Sequence, residues 1–188
     1  MPQPPRILLA ALAASVLAGA ASATTMVRLD TRALARGSQD IVIGQVTGTS
    51  ARWNDDRTRI VTEVRVRVER ALKGAAAAEL VLTQPGGELD GFRYSVEGAP
   101  HFRAGEEALL FVWRDAAGRA TVNGLAQGKF DIRRDPASGV RTVRRAAAGL
   151  GIGDARSLRA APQDGREPVV TLDELVREIE RTLAEGGR

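Results

Sequence analysis

The sequence predicts a mainly β domain: a closed barrel of at least about five strands, preceded by a short helix and followed by an amphipathic helix. Three observations support this class. Short apolar or alternating runs recur between Gly, Pro, Asn and Asp turn signals. Residues 58–69 alternate valine with charged side chains, as a strand with one solvated face does. A helix-capping pattern and an apolar stripe follow over residues 171–183.

Residues 1–23 have the three regions of a Sec-type signal peptide. The basic Arg6 precedes an apolar run over residues 7–14, and Ala21-Ser-Ala23 is the small–x–small pattern that signal peptidase accepts. We therefore expect cleavage before Thr24 and an exported protein, periplasmic or secreted, with no stable membrane insertion afterwards. The alternative is a transmembrane anchor, for which the alanine-rich run is short. No cysteine follows that could carry a lipid.

The rest of the chain divides by composition into three segments. We expect a β-barrel domain over 24–145, a flexible Ala/Gly/Pro-rich linker over 146–168 and a C-terminal helix over 169–188. The sequence has no cysteine, which excludes disulfides, a thiol nucleophile and thiolate metal ligands. Its net charge is +4, and its arginines are interspersed with Asp and Glu, so nucleic acid is not expected as a partner.

The first elements of the barrel domain are a helix and two strands. Asp30 is a suitable N-cap and Gly37 a suitable stop, so a short helix is expected between them. The apolar, β-branched run 40–47 predicts a buried strand. Asn54-Asp-Asp56 marks the turn into the alternating strand 58–69, whose valines should face the core.

Turn signals divide the middle of the chain into further strands. Pro85-Gly-Gly87 closes one run, and Asp135-Pro-Ala-Ser-Gly139 separates the two arms of a final hairpin. A long loop over 88–100 has room for one short strand. Strands are therefore expected at 79–83, 92–96, 107–113, 120–122, 129–133 and 140–144.

The last predicted element is an amphipathic helix. Thr171 and Glu174 have the spacing of a capping box, in which each side chain satisfies the other residue's backbone N–H. We expect the apolar stripe to pack on the domain, and the alternative is a helix that binds a partner. The stripe consists of Leu172, Leu175, Val176, Ile179 and Leu183.

Three stretches of the chain have a pattern found in a known family. The first is Asp40-Ile-Val-Ile-Gly-Gln-Val46, and the second is the alternating strand that runs into Leu72-Lys-Gly74. The third is Phe102-Arg-Ala-Gly-Glu-Glu-Ala-Leu-Leu-Phe111. Together they resemble netrin-like modules, the OB-type barrels shared with tissue inhibitors of metalloproteinases. This resemblance covers roughly residues 28–114 and implies an OB-like antiparallel barrel.

The chain also resembles uncharacterised exported bacterial proteins that have the same order of motifs, including Gly86-Gly87 and Gly124-Leu-Ala-Gln-Gly-Lys-Phe130. That similarity implies no activity. The metalloproteinase inhibitors place an N-terminal cysteine on the zinc of the protease, whereas the N-terminus expected here is Thr24 and the chain has no cysteine. The resemblance therefore implies the fold and not that inhibitory mechanism.

Candidate catalytic groups are few. His101 is the only histidine, so a two-histidine zinc site cannot form. A serine–histidine–aspartate arrangement could use only His101, with Ser95 and Asp90 on the same loop. The acidic pairs Asp55-Asp56 and Glu106-Glu107 are too sparse for a calcium loop. We expect no catalytic residue, no bound metal and no cofactor.

Aromatic residues beside arginines provide the candidate binding site, because large aromatics and arginine dominate the energies of protein interfaces. The alternative is that these rings only hold the loop over 88–100 closed. The residues that fall in or beside predicted loops are Trp53, Phe92, Arg93, Tyr94, Phe102 and Arg103.

These observations favour an exported, non-catalytic binding module that serves as an inhibitor or partner of an extracytoplasmic protein or peptide. Two alternatives stay open. One is an exported hydrolase with a carboxylate- or His101-centred site, and the other is a structural component of the cell envelope.

Overall fold

The structure, a computed structural model, describes residues 26–75, 77–146, 152–153 and 170–186. The predicted signal peptide and most of the predicted linker lie outside the described residues. In chain order the elements are β1 Met26–Val27, α1 Thr31–Gly37, β2 Asp40–Trp53, β3 Ile60–Lys73, β4 Glu79–Pro85, β5 Gly87–Leu89, β6 Phe92–Tyr94, β7 Glu107–Arg114, β8 Ala120–Val122, a 3₁₀ helix Leu125–Gly128, β9 Lys129–Arg134, β10 Arg141–Arg145, β11 Ile152–Gly153, β12 Val170–Thr171 and α2 Leu172–Gly186.

The strands expected from the sequence are present, and β2 is longer than expected. The apolar pattern ends near residue 47, but β2 continues to Trp53 because it pairs with β3 as far as Ile60. Residues 48–53 alternate poorly and become a strand through this pairing. Cross-strand hydrogen bonds can thus impose a conformation that the local pattern does not indicate.

Five strands close into a barrel, in the order β7-β2-β3-β4-β8 and back to β7. The pairings within this ring are antiparallel except at the seam, where β4 and β8 run parallel and are joined at Leu82 and Ala120. A meander of three strands followed by two strands that close on it is the OB-like arrangement. The predicted fold class is confirmed, with this one parallel seam.

The barrel is packed on its inside and on part of its outside. Val42 and Leu110 point inward and join the interior cluster with Val64 and Val66 of β3. Ile43 and Phe111 point outward, and α1 and α2 cover them. Because both faces of β2 and β7 are buried, these strands have continuous apolar runs, whereas β3 alternates.

Both helices begin with the predicted caps. The Asp30 carboxylate accepts a hydrogen bond from the Ala33 backbone N–H at 2.7 Å. At α2, the Thr171 N–H donates to the Glu174 carboxylate at 2.9 Å, and the Glu174 N–H donates to the Thr171 hydroxyl at 3.3 Å. This reciprocal pair is the capping box that the sequence predicts.

The apolar stripe of α2 packs on the domain, as expected. Leu172, Leu175, Val176 and Ile179 are buried in the outer cluster, with Leu183 packed against it. Of the helices in the described parts of the chain, none has the length and apolar content needed to cross a membrane.

The Leu-Lys-Gly motif joins β3 to α1 and to the start of β2. The Lys73 ammonium donates to the Ala35 carbonyl at 2.8 Å, which satisfies a carbonyl in the last turn of α1. Gly74 has a φ of 86°, and a Cβ there would lie 2.0 Å from the Asp40 carboxylate. Glycine is therefore required at this position by both its conformation and its contact.

Candidate functional site

A cleft of about 330 Å³ lies on the open side of the barrel. It is bounded by the β2–β3 turn, the β7–β8 turn, the end of β4 and the β6 residue Tyr94. In OB-type barrels these two turns commonly flank ligand sites. The residues that line the cleft are Arg52, Asn54, Asp55, Asp56, Arg59, Ile60, Val61, Thr83, Pro85, Tyr94, Trp113, Asp115, Arg119, Ala120 and Thr121.

Each turn beside the cleft is closed by a side chain. The Asn54 side-chain oxygen accepts from the backbone N–H groups of Thr58 and Arg59, at 2.8 and 3.0 Å. The Asp115 carboxylate accepts from the backbone N–H of Arg119 at 2.9 Å. These bonds fix the two turns locally, so the walls of the cleft are organised before any ligand arrives.

A chain of ion pairs crosses the mouth of the cleft. Arg119 lies 2.7 Å from Asp115 and 3.5 Å from Asp55 on the opposite turn. Asp55 also lies 3.5 Å from Arg52, which pairs with Glu63 at 2.5 Å. These pairs are largely exposed, so they orient the side chains more than they stabilise the fold.

The pKa values of Asp115, Arg119 and Arg52 shift in the direction that keeps these three groups charged. The side-chain hydrogen bond from Arg119 lowers the pKa of Asp115 below the ordinary carboxyl value, and the same bond raises the pKa of Arg119. The bond to Glu63 likewise raises the pKa of Arg52. These hydrogen bonds therefore favour the charged forms of Asp115, Arg119 and Arg52.

Two aromatic rings stand in the cleft among these charged groups. Tyr94 is 37% exposed and Trp113 is 44% exposed. Trp113 points outward from β7, two residues beyond the buried Phe111, where the cover provided by the helices has ended. Two half-exposed rings beside oriented polar groups are typical of a ligand site.

A second surface adjoins the cleft, and we name it the aromatic rim: Trp53, Phe92 and Arg93. The rings of Trp53 and Phe92 meet edge to face with their centres 6.1 Å apart, and Phe92 is 62% exposed. Arg93 donates to Glu88 across the β5–β6 hairpin at 2.7 Å. Tyr94 follows directly and connects the rim to the cleft.

The structure brings only part of the predicted binding set together. Trp53 and Phe92 are in contact, Arg93 and Tyr94 follow Phe92 directly, and of the six only Tyr94 lines the cleft. Phe102 and Arg103 lie instead on the loop before β7. Phe102 is half-buried, packs against the barrel interior and lies under the Lys129 ammonium, 5.0 Å from its ring centre.

Lys129 is buried and pairs with Glu106 at 3.0 Å and with Asp131 at 2.5 Å. The contacts of Phe102 with this ion cluster therefore hold the 98–106 loop against β9.

The serine–histidine–aspartate arrangement does not form among the described residues, whereas Asp55 and Asp56 both line the cleft. His101 is exposed, and within the described residues it has no hydrogen bond to Ser95 or Asp90. Glu107 pairs with Arg141 at 2.9 Å. Within residues 26–75, 77–146, 152–153 and 170–186, no three His, Cys, Asp or Glu side chains are grouped so that they could hold a metal ion.

Sequence reasoning missed the other side of the cleft. Trp113 is part of the apolar run predicted as a core strand, and Arg119 lies in a short turn without a recognisable motif. The exposure of Trp113 follows from where the helices end. The sequence holds only one relevant signal, the two-residue repeat of a strand, which places Trp113 on the same face as Phe111.

Comparison with protein-family models and with curated proteins gives no match for this chain.

Proposed function

We propose that this chain is an exported, non-catalytic binding module of the netrin-like kind, and that the aromatic rim is where it holds an extracytoplasmic protein or peptide. The observation that carries the proposal is the exposed edge-to-face pair of Phe92 and Trp53 beside Arg93. Aromatic rings and arginine are the side chains that contribute most to protein interfaces.

The position of Phe92 supports this role over loop closure. A ring that only held the loop closed would be buried, but Phe92 is mainly exposed and touches the half-buried Trp53 at its edge. The short β5–β6 hairpin fixes the backbone beneath it, so little conformational entropy is lost on binding. Phe92 therefore has the features of an interface anchor.

Export is the first part of the proposal to test. The pattern Ala21-Ser-Ala23 should direct cleavage before Thr24. N-terminal sequencing of the protein recovered outside the cytoplasm should then begin at Thr24. Recovery of intact Met1 on protein in the membrane fraction would contradict this part.

The binding role is tested with matched surface variants. In cross-linking capture from an extracytoplasmic extract, Phe92→Ala should lose the partner that the unaltered chain retains. Val140→Ala is the control, because Val140 is an exposed apolar residue in the β9–β10 turn. Both variants should keep the melting temperature of the unaltered chain. Equal capture by the two variants would show that the aromatic rim is not the partner surface.

A further inference from the structure

The cleft differs chemically from the aromatic rim beside it. Its lining has three guanidinium groups and three carboxylates, so its formal charge is zero although the chain as a whole is basic. Four of these groups are joined by the Arg52–Asp55–Arg119–Asp115 ion pairs. Their charges largely cancel, yet their remaining oxygens and N–H groups stay available as hydrogen-bond partners.

This balance selects against charged ligands. A phosphate backbone needs a basic surface, and here every arginine is matched by an aspartate whose charge repels phosphate. The three arginines likewise repel a cationic ligand. A neutral ligand with many hydroxyl groups can use both kinds of side chain without an electrostatic penalty.

The two aromatic rings of the cleft favour a ligand that also has an apolar face. Tyr94 and Trp113 present apolar faces within a lining that is otherwise mainly polar. A sugar ring has an apolar C–H face and a rim of hydroxyls, and it can place the first on an aromatic ring and the second on Asp, Asn and Arg. A volume of about 330 Å³ is at the lower end of small-molecule sites, and it suits a short stretch of a chain.

One buried polar side chain supports the wall of the cleft. Gln84 is 2% exposed, and its amide oxygen accepts from the Thr121 hydroxyl at 3.3 Å. Because Thr121 lines the cleft, this bond fixes the position of a hydroxyl that a polar ligand can meet.

We propose that the cleft binds a neutral oligosaccharide, with sugar rings against Trp113 and Tyr94 and hydroxyls on the side chains of the two turns. This site is separate from the aromatic rim and does not depend on a protein partner. Of the two polymer classes that OB-type barrels hold between these turns, the balanced charge favours the saccharide over the nucleic acid.

The test is a titration of the purified chain with cellotetraose, tetra-N-acetylchitotetraose and maltotetraose, and with tetragalacturonate as the charged counterpart. Tryptophan fluorescence and calorimetry report binding. We expect at least one neutral tetrasaccharide to bind with a Kd of about 1 mM or tighter. Trp113→Ala should weaken that binding roughly tenfold or more, and Arg59→Gln should weaken it by less. Phe92→Ala, on the aromatic rim, should bind the sugar unchanged.

Three outcomes overturn the proposal. The first is no binding of any neutral tetrasaccharide up to about 10 mM. The second is tighter binding of tetragalacturonate than of the neutral sugars. The third is unchanged binding by a folded Trp113→Ala variant. Should that variant melt early, Arg59→Gln decides instead, and unchanged sugar binding by it would overturn the proposal. Arg59 is exposed and forms no ion pair with another described residue. Loss of sugar binding in Phe92→Ala would also overturn the separation of the two sites.

Discussion

The outer face of the barrel is covered by helices on one side and open to solvent on the other. On the covered side, Ile43 and Phe111 point away from the barrel interior and are nevertheless buried beneath α1 and α2. On the open side, Arg65 and Arg67 occupy equivalent outward positions on β3 and are exposed. The same kind of position is therefore structural on one side and available for binding on the other.

Strand β7 crosses the boundary between the two sides. Phe111 is fully buried, whereas Trp113, two residues later on the same face, is 44% exposed in the cleft. Both are large aromatics at alternate positions of one strand. The extent of the helical cover separates the two rings, so their burial is decided by location in the fold and not by residue type.

The largest effect should come from placing a charge on the covered side. Ile43→Asp would bury an unpaired carboxylate and should lower the free energy of unfolding by at least about 3 kcal/mol. Arg65→Ser, at an outward position on the open side, should change it by less than about 0.5 kcal/mol. Urea denaturation measures both, and similar losses would mean that the two sides are not distinct.

The next largest difference in stability is expected between alanine variants of Phe111 and Trp113, the two aromatic residues of β7. Phe111→Ala removes a buried ring that also contacts Phe130, with ring centres 5.8 Å apart. It should cost about 3–5 kcal/mol. Trp113→Ala should cost under about 1 kcal/mol, because much of that ring already meets solvent. Thermal melting of the two variants tests this, and an equal loss would place Trp113 in the core.

The cap of α2 should contribute less than either buried ring. Thr171→Ala removes the hydroxyl that accepts from Glu174 N–H and should lower the free energy of unfolding by about 1 kcal/mol. Thr171→Ser keeps the hydroxyl and is the matched control. Chemical denaturation of the pair should separate them. Sugar binding at the cleft should be the same for both, since α2 covers the other side.

The smallest expected effect is on the pH dependence of stability. It compares Glu174, on the covered side, with Asp115, on the open side. Hydrogen bonds from Thr171 lower the pKa of Glu174, and those from Arg119 lower the pKa of Asp115. The two carboxylates contribute fully to stability when the pH is above their pKa in the unfolded chain. The contribution is lost as the pH falls through their lower pKa in the folded chain. The unfolding midpoint should therefore decrease below about pH 4.

Glu174→Gln and Asp115→Asn should each show a shallower acid decrease, because neither variant has a carboxylate to protonate at that position. Denaturation midpoints measured between neutral and acid pH test this. A decrease of the same depth in the unaltered chain and in both variants would contradict the assignment.

Local features of the sequence were sufficient to predict structures that depend only on residues within a single helix or strand. The Asp30 and Thr171 caps depend on residues three positions apart, and the alternation of residues 58–69 follows from the two-residue repeat of a strand. The aromatic rim was partly predictable for the same reason, since Phe92 and Arg93 are consecutive. Phe102 and Arg103 have similar chemistry but lie on another part of the barrel.

The sequence by itself determined the turns, the caps, most of the strands and the inward face of the alternating strand β3. Only the tertiary structure decided which outward faces are covered and which residues meet at the cleft. Asp55 and Arg119 are 64 positions apart, and Thr121 reaches Gln84 across 37 positions. Hydrogen bonds within a turn or helix depend on neighbours in the chain, whereas burial and clefts depend on which distant elements pack together.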